Sequence, residues 1–151
     1  MRVLFTGFKG VHNTSFQLVG HLGDDRMFLT NSFQGLKKDI ASIDTDYDIV
    51  YMFGVDKTLR GSVRIEACAR LNGEQIYTDF DISSLQNKLR EHGINCVVSH
   101  APTGYLCNFA YYYMLHRNAN TVFIHIPSIA GMEEDLMKAL IGAFNRHIVN
   151  V

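Results

Sequence analysis

Gly104-Tyr105-Leu106-Cys107-Asn108, followed downstream by Phe123-Ile124-His125-Ile126-Pro127, is the stretch on which the reading of this chain turns. From Tyr105 to Arg117, tyrosines, Leu106, Phe109, Met114 and Leu115 recur at spacings that fill a wide apolar face, which predicts a helix. Thr121 to Ile126 is β-branched and aromatic and predicts a buried strand closed by Pro127. Cys107 then sits in the first turn of its helix, where free backbone N–H groups and the positive end of the macrodipole favour thiolate over thiol. His125 sits at the end of its strand, held rigidly enough to be offered to a neighbouring helix. An isolated cysteine is usually one more buried small hydrophobe, and an isolated histidine a satisfied core imidazole. The pair therefore needs support from the rest of the chain.

Outward from this stretch, strands and helices alternate. Arg2 to Thr6 reads as a first strand, Ser15 to Leu22 as a short helix and Arg26 to Leu29 as a second strand. Leu36 to Ile43 is a helical turn or two, and Asp48 to Phe53 an apolar strand buried on both faces. Val63 to Ala69 reads as one strand with polar residues interleaved. Ile82 to His92 is an amphipathic helix capped by Gly93, before a strand from Ile94 to Val98. A closing helix spans Glu133 to His147. The pattern predicts an α/β fold with a mostly parallel or mixed sheet flanked by helices. In such sheets ligands bind outside the carboxyl ends of the strands, which puts both Cys107 and His125 on the functional rim.

With 151 residues, 47% of them hydrophobic and only two prolines, the chain reads as a single domain over 1–151 with enough apolar material for a core. A net charge of −1 leaves no electrostatic footprint for nucleic acid or an anionic membrane. No apolar run approaches a membrane span, and the N-terminus lacks a signal-peptide layout. Cys68, Cys96 and Cys107 have no metal-type spacing and suit a reducing, cytoplasmic setting. The seven histidines form no HxH or HExxH pattern, so neither metal nor cofactor is expected.

A cysteine–histidine pair needs a third group to hold the imidazole in one tautomer. The candidate is Glu66, in Ser62-Val63-Arg64-Ile65-Glu66-Ala67-Cys68. A carboxylate within an apolar strand is costly to bury unless paired. A structural ion pair to Arg64 or Arg70 weighs about equally with the functional reading. Tyr111, Tyr112 and Tyr113 read as core and surface, since no basic groove accompanies them. Cys68 reads as an inert buried thiol. Asp44, Asp46 and Asp48 read as a solvated loop rather than a calcium site.

Taken together, these residues resemble the pyroglutamyl peptidases (pyrrolidone-carboxylate peptidases), cysteine peptidases that remove an N-terminal 5-oxoproline. Val3-Leu4-Phe5-Thr6-Gly7-Phe8 is similar to the family's opening strand and Gly-Phe turn. Gly54, Arg60 and Ile65-Glu66 resemble its Gly…Gly-Arg…Glu segment, with the arginine-to-glutamate spacing kept. Leu89 to Ile94 matches a helix end, Tyr105-Leu106-Cys107-Asn108 with Tyr112, Leu115 and His116 the nucleophile helix, and Phe123 to Pro127 the histidine strand. The resemblance implies a Glu66–Cys107–His125 triad and a phosphorylase/hydrolase-like α/β fold, often assembled as a homo-oligomer. It also implies a small peptide or amide substrate, with Phe8, Val11, Asn13, Arg60 and Arg70 as candidate substrate-binding residues.

The departures bear on specificity. The family turn Gly-Phe-x-Pro-Phe-Gly-Gly is here Gly7-Phe8-Lys9-Gly10-Val11-His12, so Val11 stands where a second aromatic would clamp a flat lactam. Phe80, Tyr77 and His100 are the residues available to replace it. The long family segment after the glutamate is shortened, leaving Arg70 as the candidate for its carbonyl-holding arginine. Ala101-Pro102-Thr103-Gly104 also departs from the usual Ser-Ala-Gly before the nucleophile. The chemistry expected is acyl transfer, with Cys107 attacking a carbonyl and His125 carrying the proton. Two function classes follow: a cysteine amidohydrolase, favoured by the complete triad, and a non-catalytic or respecialised binding protein, favoured by the altered loops.

Overall fold

The computed structural model describes residues 1–23, 25–102 and 105–146. Thr103 and Gly104, just ahead of Tyr105 in sequence, and His147, at the expected end of the last helix, lie outside the described residues. The elements are β1 (Val3–Phe8), α1 (Thr14–Gly20), β2 (Asp25–Leu29), α2 (Phe33–Ala41), β3 (Ile49–Asp56), β4 (Ser62–Glu66), β5 (Cys68–Leu71) and β6 (Glu74–Tyr77). They continue with α3 (Ile82–Glu91), β7 (Asn95–Ser99), α4 (Tyr105–Arg117), β8 (Thr121–Pro127) and α5 (Glu134–Arg146).

Six strands form one sheet in the order β2-β1-β3-β8-β4-β7. β2, β1, β3 and β8 run parallel, and β4 pairs antiparallel with β8 while lying parallel to β7. The sheet is therefore mixed, and β4 and β7 are reversed relative to the rest.

Period-two alternation divides the core into two layers. Val3, Phe5, Tyr51, Phe53, Val63, Ile65, Val122 and Ile124 face one side with residues of α1, α3 and α5, including Leu18, Leu85, Leu89, Leu140 and Phe144. Phe144 meets Phe5, Tyr51 and Phe53 edge-on, the arrangement that aromatic quadrupoles prefer. Leu4, Phe8, Val50, Met52 and Phe123 face the other side, against Leu36 and Ile40 of α2 and Ala110, Tyr111 and Met114 of α4.

The expected strand from Val63 to Ala69 is two strands. Backbone pairing with the sheet ends at Glu66, Ala67 donates its N–H to Ser99 O (2.8 Å), and β5 leaves to pair with β6. The turn is Asn72-Gly73, both at positive φ (52° and 81°). Asn-Gly at the centre of a two-residue turn is a strong short-range hairpin signal, and it is the feature that identifies β6 in the sequence. Asn108 of α4 fastens this hairpin: its Oδ1 accepts from Arg70 N–H (2.9 Å) and its Nδ2 donates to Arg70 O (2.6 Å).

The first loop is equally well tied. Gly7 allows α1 to approach, since a Cβ there would lie 2.6 Å from Ser15 O. Asn13 caps α1, its Oδ1 accepting from Ser15 N–H (2.9 Å) and Phe16 N–H (3.4 Å). An Asn13→Ala change should therefore cost about 1 kcal/mol, the usual worth of an N-cap. At this chain length that is roughly 2–4 °C in Tm. Asn13→Asp should keep most of the stability, a difference that thermal melts of the two variants resolve.

Candidate active site

The sheet face toward α4 gathers the chemistry. Gly54 of β3 and Arg64 of β4 are the register partners of His125 on its two sides, and Glu66 is the partner of Phe123. Because β4 is reversed, Glu66 and Arg64 alternate along the same face that carries Phe123 and His125. The expected rim placement holds for His125, near the carboxyl end of β8. Glu66 reaches it from a strand running the opposite way.

The Glu66 side chain is 5% exposed, as is that of His125. His125 Nδ1 lies 2.9 Å from Glu66 Oε2, and Arg64 Nε donates to the same oxygen at 2.6 Å. Arg64 Nη2 donates to Asp56 Oδ2 at 2.7 Å and passes 3.4 Å from His125 Nδ1. An ionised carboxylate only accepts, so Nδ1 carries its hydrogen toward Glu66 and Nε2 keeps a lone pair. Arg64 therefore meets the ring nitrogen as a neighbouring cation and not as its hydrogen-bond donor. The two readings of Glu66, ion pair to arginine and partner of histidine, are both realised on one oxygen.

Cys107 is the third residue of α4 and half-buried. It shares with His125 the lining of two spaces. One is an open groove of about 600 Å³ bounded by Val55, Asp56, Lys57, Tyr105 and Leu106. The other is a cavity of about 10 Å³ behind the thiol, reached by Glu66, Cys68, Asn108, Tyr111 and Phe123. Gly54 makes room for the sulfur: a Cβ there would stand 2.7 Å from Cys107 Sγ and 2.6 Å from the Phe123 ring.

The thiol is not a preformed thiolate, contrary to the expectation from its place in a helix. Burial pushes Cys107 up to about 12, helped by the charges of Glu66 and Asp56 and opposed by Arg64 and a hydrogen bond from the Val55 backbone. Burial disfavours the charged form of the thiol, and the two nearby carboxylates act in the same direction. Asp56 behaves oppositely: burial opposes its charge, but bonds from Thr58 and Arg64 hold it down at about 2.

Glu66, Cys107 and His125 line one small cavity, and the other candidates lie elsewhere. Phe8 is a core residue, 3% exposed. Val11 is exposed, with its carbonyl accepting from Gln17 Nε2 (2.9 Å), and Asn13 is occupied in capping. Arg60 and Arg70 are exposed, Arg70 reaching Gln75 Oε1 at 3.4 Å. None of these five lines either space. Phe80 packs in the core against Tyr51, and Tyr77 stands beside His100. Asp56, Lys57 and Tyr105 were not singled out by sequence reasoning. The signal for Asp56 and Lys57 is the register that sets the end of β3 beside the end of β8, and that for Tyr105 is its place at the start of the Cys107 helix. Among the described residues, no three His, Cys, Asp or Glu side chains group as metal ligands, and no helix is long and apolar enough to cross a membrane.

The molecule is an α/β protein in which a cysteine and a histidine line a common cavity and groove. The pyroglutamyl peptidase family model matches residues 56–139, more than half of the sequence, and the chain belongs to that family. No curated protein sequence matches it significantly. Among solved structures, pyroglutamyl peptidase I from Bacillus amyloliquefaciens is similar at a TM-score of 0.79 and 18% identity, covering 95% of each chain. Pyrrolidone carboxyl peptidase from Pyrococcus furiosus gives 0.77 and 22% identity over 95% of this chain and 96% of that one. The Thermus thermophilus enzyme gives 0.76 and 18%, over 95% and 97%. At such identity these likenesses establish the fold.

Two outcomes test the site geometry. Alkylation of Cys107 by iodoacetamide should rise only on the alkaline side of the free-thiol range, near pH ~8.5, because the thiol is held protonated through neutral pH. Substituting Gly54 by Ala should displace the sulfur and cost on the order of 100-fold in kcat/KM, the scale of an ångström's misplacement. Mass spectrometry of the labelled cysteines and steady-state kinetics are the respective measurements.

Proposed function

We propose that Cys107, His125 and Glu66 act as a catalytic triad that transfers an acyl group from an N-terminal amide to water. The observation that carries this reading is the buried Glu66–His125 hydrogen bond of 2.9 Å beneath a half-buried cysteine that lines the same two spaces as His125. His125 Nε2 takes the thiol proton as sulfur attacks the carbonyl and returns it to the leaving amine. Water then releases the acyl group with His125 again as base. Because burial holds the thiol protonated, proton transfer accompanies attack and does not precede it. Backbone N–H groups at the start of α4, including that of Cys107, are the donors available for the developing oxyanion.

The substrate class follows from the family: a peptide whose first residue is 5-oxoproline or a related acyl group. The groove beside Cys107 has the volume of a small-ligand site, but Phe8 does not wall it. A missing aromatic wall forfeits about 0.5–1.5 kcal/mol of stacking, so turnover of pyroglutamyl amides is expected to be weak. The protein is read as acting in the cytoplasm, as one domain and as a homo-oligomer.

Hydrolysis of a pyroglutamyl coumarin amide should be abolished in Cys107→Ala and reduced about 10²–10⁴-fold in His125→Ala, the span of general acid–base catalysis. Turnover that survives Cys107→Ala overturns the reading.

A further inference from the structure

We propose that Arg64, anchored by Asp56, is a positioning residue that fixes the Glu66 carboxylate on His125 and keeps the imidazole neutral until it receives the Cys107 proton; the proposal rests on the triad reading above. The guanidinium forks between two carboxylates, with Nε on Glu66 Oε2 (2.6 Å) and Nη2 on Asp56 Oδ2 (2.7 Å). Only a planar, multi-donor cation can hold that span in one orientation. Asp56 is itself fixed, its Oδ1 accepting from Thr58 N–H (2.8 Å) and Thr58 Oγ1 (2.6 Å). The anchor thus runs from the turn after β3 across His125 to β4. Glu66 Oε2 takes both Arg64 and His125, so the arginine selects which carboxylate oxygen faces the ring. Glu66 Oε1 finds no protein donor among the described residues, and Arg64 is therefore the cation that compensates this buried charge.

The charges around His125 show why neutrality depends on Arg64. Glu66 and Arg64 come from β4, Asp56 and then Lys57 from the end of β3, Cys107 and Tyr111 from α4, and Cys68 from β5. Lys57 is exposed at the groove, and burial pushes the Cys107 thiol and the Tyr111 phenol up, away from their charged forms. Two carboxylates and one guanidinium leave one negative charge beside the ring. Without the guanidinium there would be two, and the Glu66–His125 pair would hold a proton more tightly. The imidazole would then rest as imidazolium and could not serve as base. Removing Asp56 instead leaves the cation less compensated and favours the neutral ring.

The test is an NMR titration of the His125 ring in the full chain, its signal assigned by its loss in His125→Gln. Arg64→Gln should move the titration to higher pH by about one unit, and Asp56→Asn should move it to lower pH. Arg64→Lys should titrate near the parent while kcat/KM falls at least tenfold, because an ammonium keeps the charge but cannot fork. The acid limb of kcat/KM should follow the ring in every variant. A titration unmoved in folded Arg64→Gln and Asp56→Asn overturns the proposal, as does movement of both in one direction. If Arg64→Gln does not fold, the direction of the Asp56→Asn shift decides by itself. The titration reads the network even in a protein that cleaves no amide, so failure of the triad chemistry and failure of this inference give different results.

Discussion

One oxygen atom organises the centre of this protein. Glu66 Oε2 accepts from both Arg64 and His125 inside a sheet that presents mostly aliphatic and aromatic side chains. A carboxylate desolvated to this degree persists only if its donors stay in place. Those donors come from its own strand and from β8, so the register between β4 and β8 and the charge distribution at the site are one constraint. A slip of one residue would turn Arg64 and Glu66 to the opposite, fully apolar face.

The rest of the site is arranged around that constraint by packing. Gly54 on one flank of His125 leaves room for the Cys107 sulfur, while Arg64 on the other flank supplies charge. The β5–β6 hairpin, tied to Asn108, keeps the start of α4 pressed against the sheet, and Tyr111 donates to the Glu66 carbonyl (2.8 Å). Helix, hairpin and strand therefore meet at the residues flanking the nucleophile. The burial that secures this geometry also desolvates the thiol, which explains why a cysteine in the first turn of a helix is nonetheless held as a thiol.

The first loop contributes to folding through each of its three candidate residues or their neighbours. Phe8 retains the aromatic expected after Gly7 and is buried in the same core layer as Leu29, Met52 and residues of α2 and α4. Val11 is solvent-exposed, and Asn13 is committed to capping α1. The groove at Cys107 is bounded instead by the end of β3 and the start of α4, elements whose sequences carry a strand pattern and a helix pattern but no lactam-clamp motif.

By itself, the sequence determined the alternation of strands and helices, the helix bearing Cys107, the strand bearing His125, and the family to which their neighbours belong. Each follows from local patterns: apolar spacing, β-branched runs, and residues a few positions apart. The break after Glu66 was legible only through Asn72-Gly73, since Val63 to Ala69 has the composition of one continuous strand. Tertiary structure alone decided that β4 runs against β8, that Arg64 serves Asp56 and Glu66 together, that Phe8 is core, and that the Cys107 thiol is desolvated by its surroundings. These are matters of which strands become neighbours and how much water they exclude. The pairing of β4 with β8 brings side chains 59 positions apart, those of Glu66 and His125, within hydrogen-bond reach, and desolvation is a property of the assembled layers that no local stretch of sequence contains.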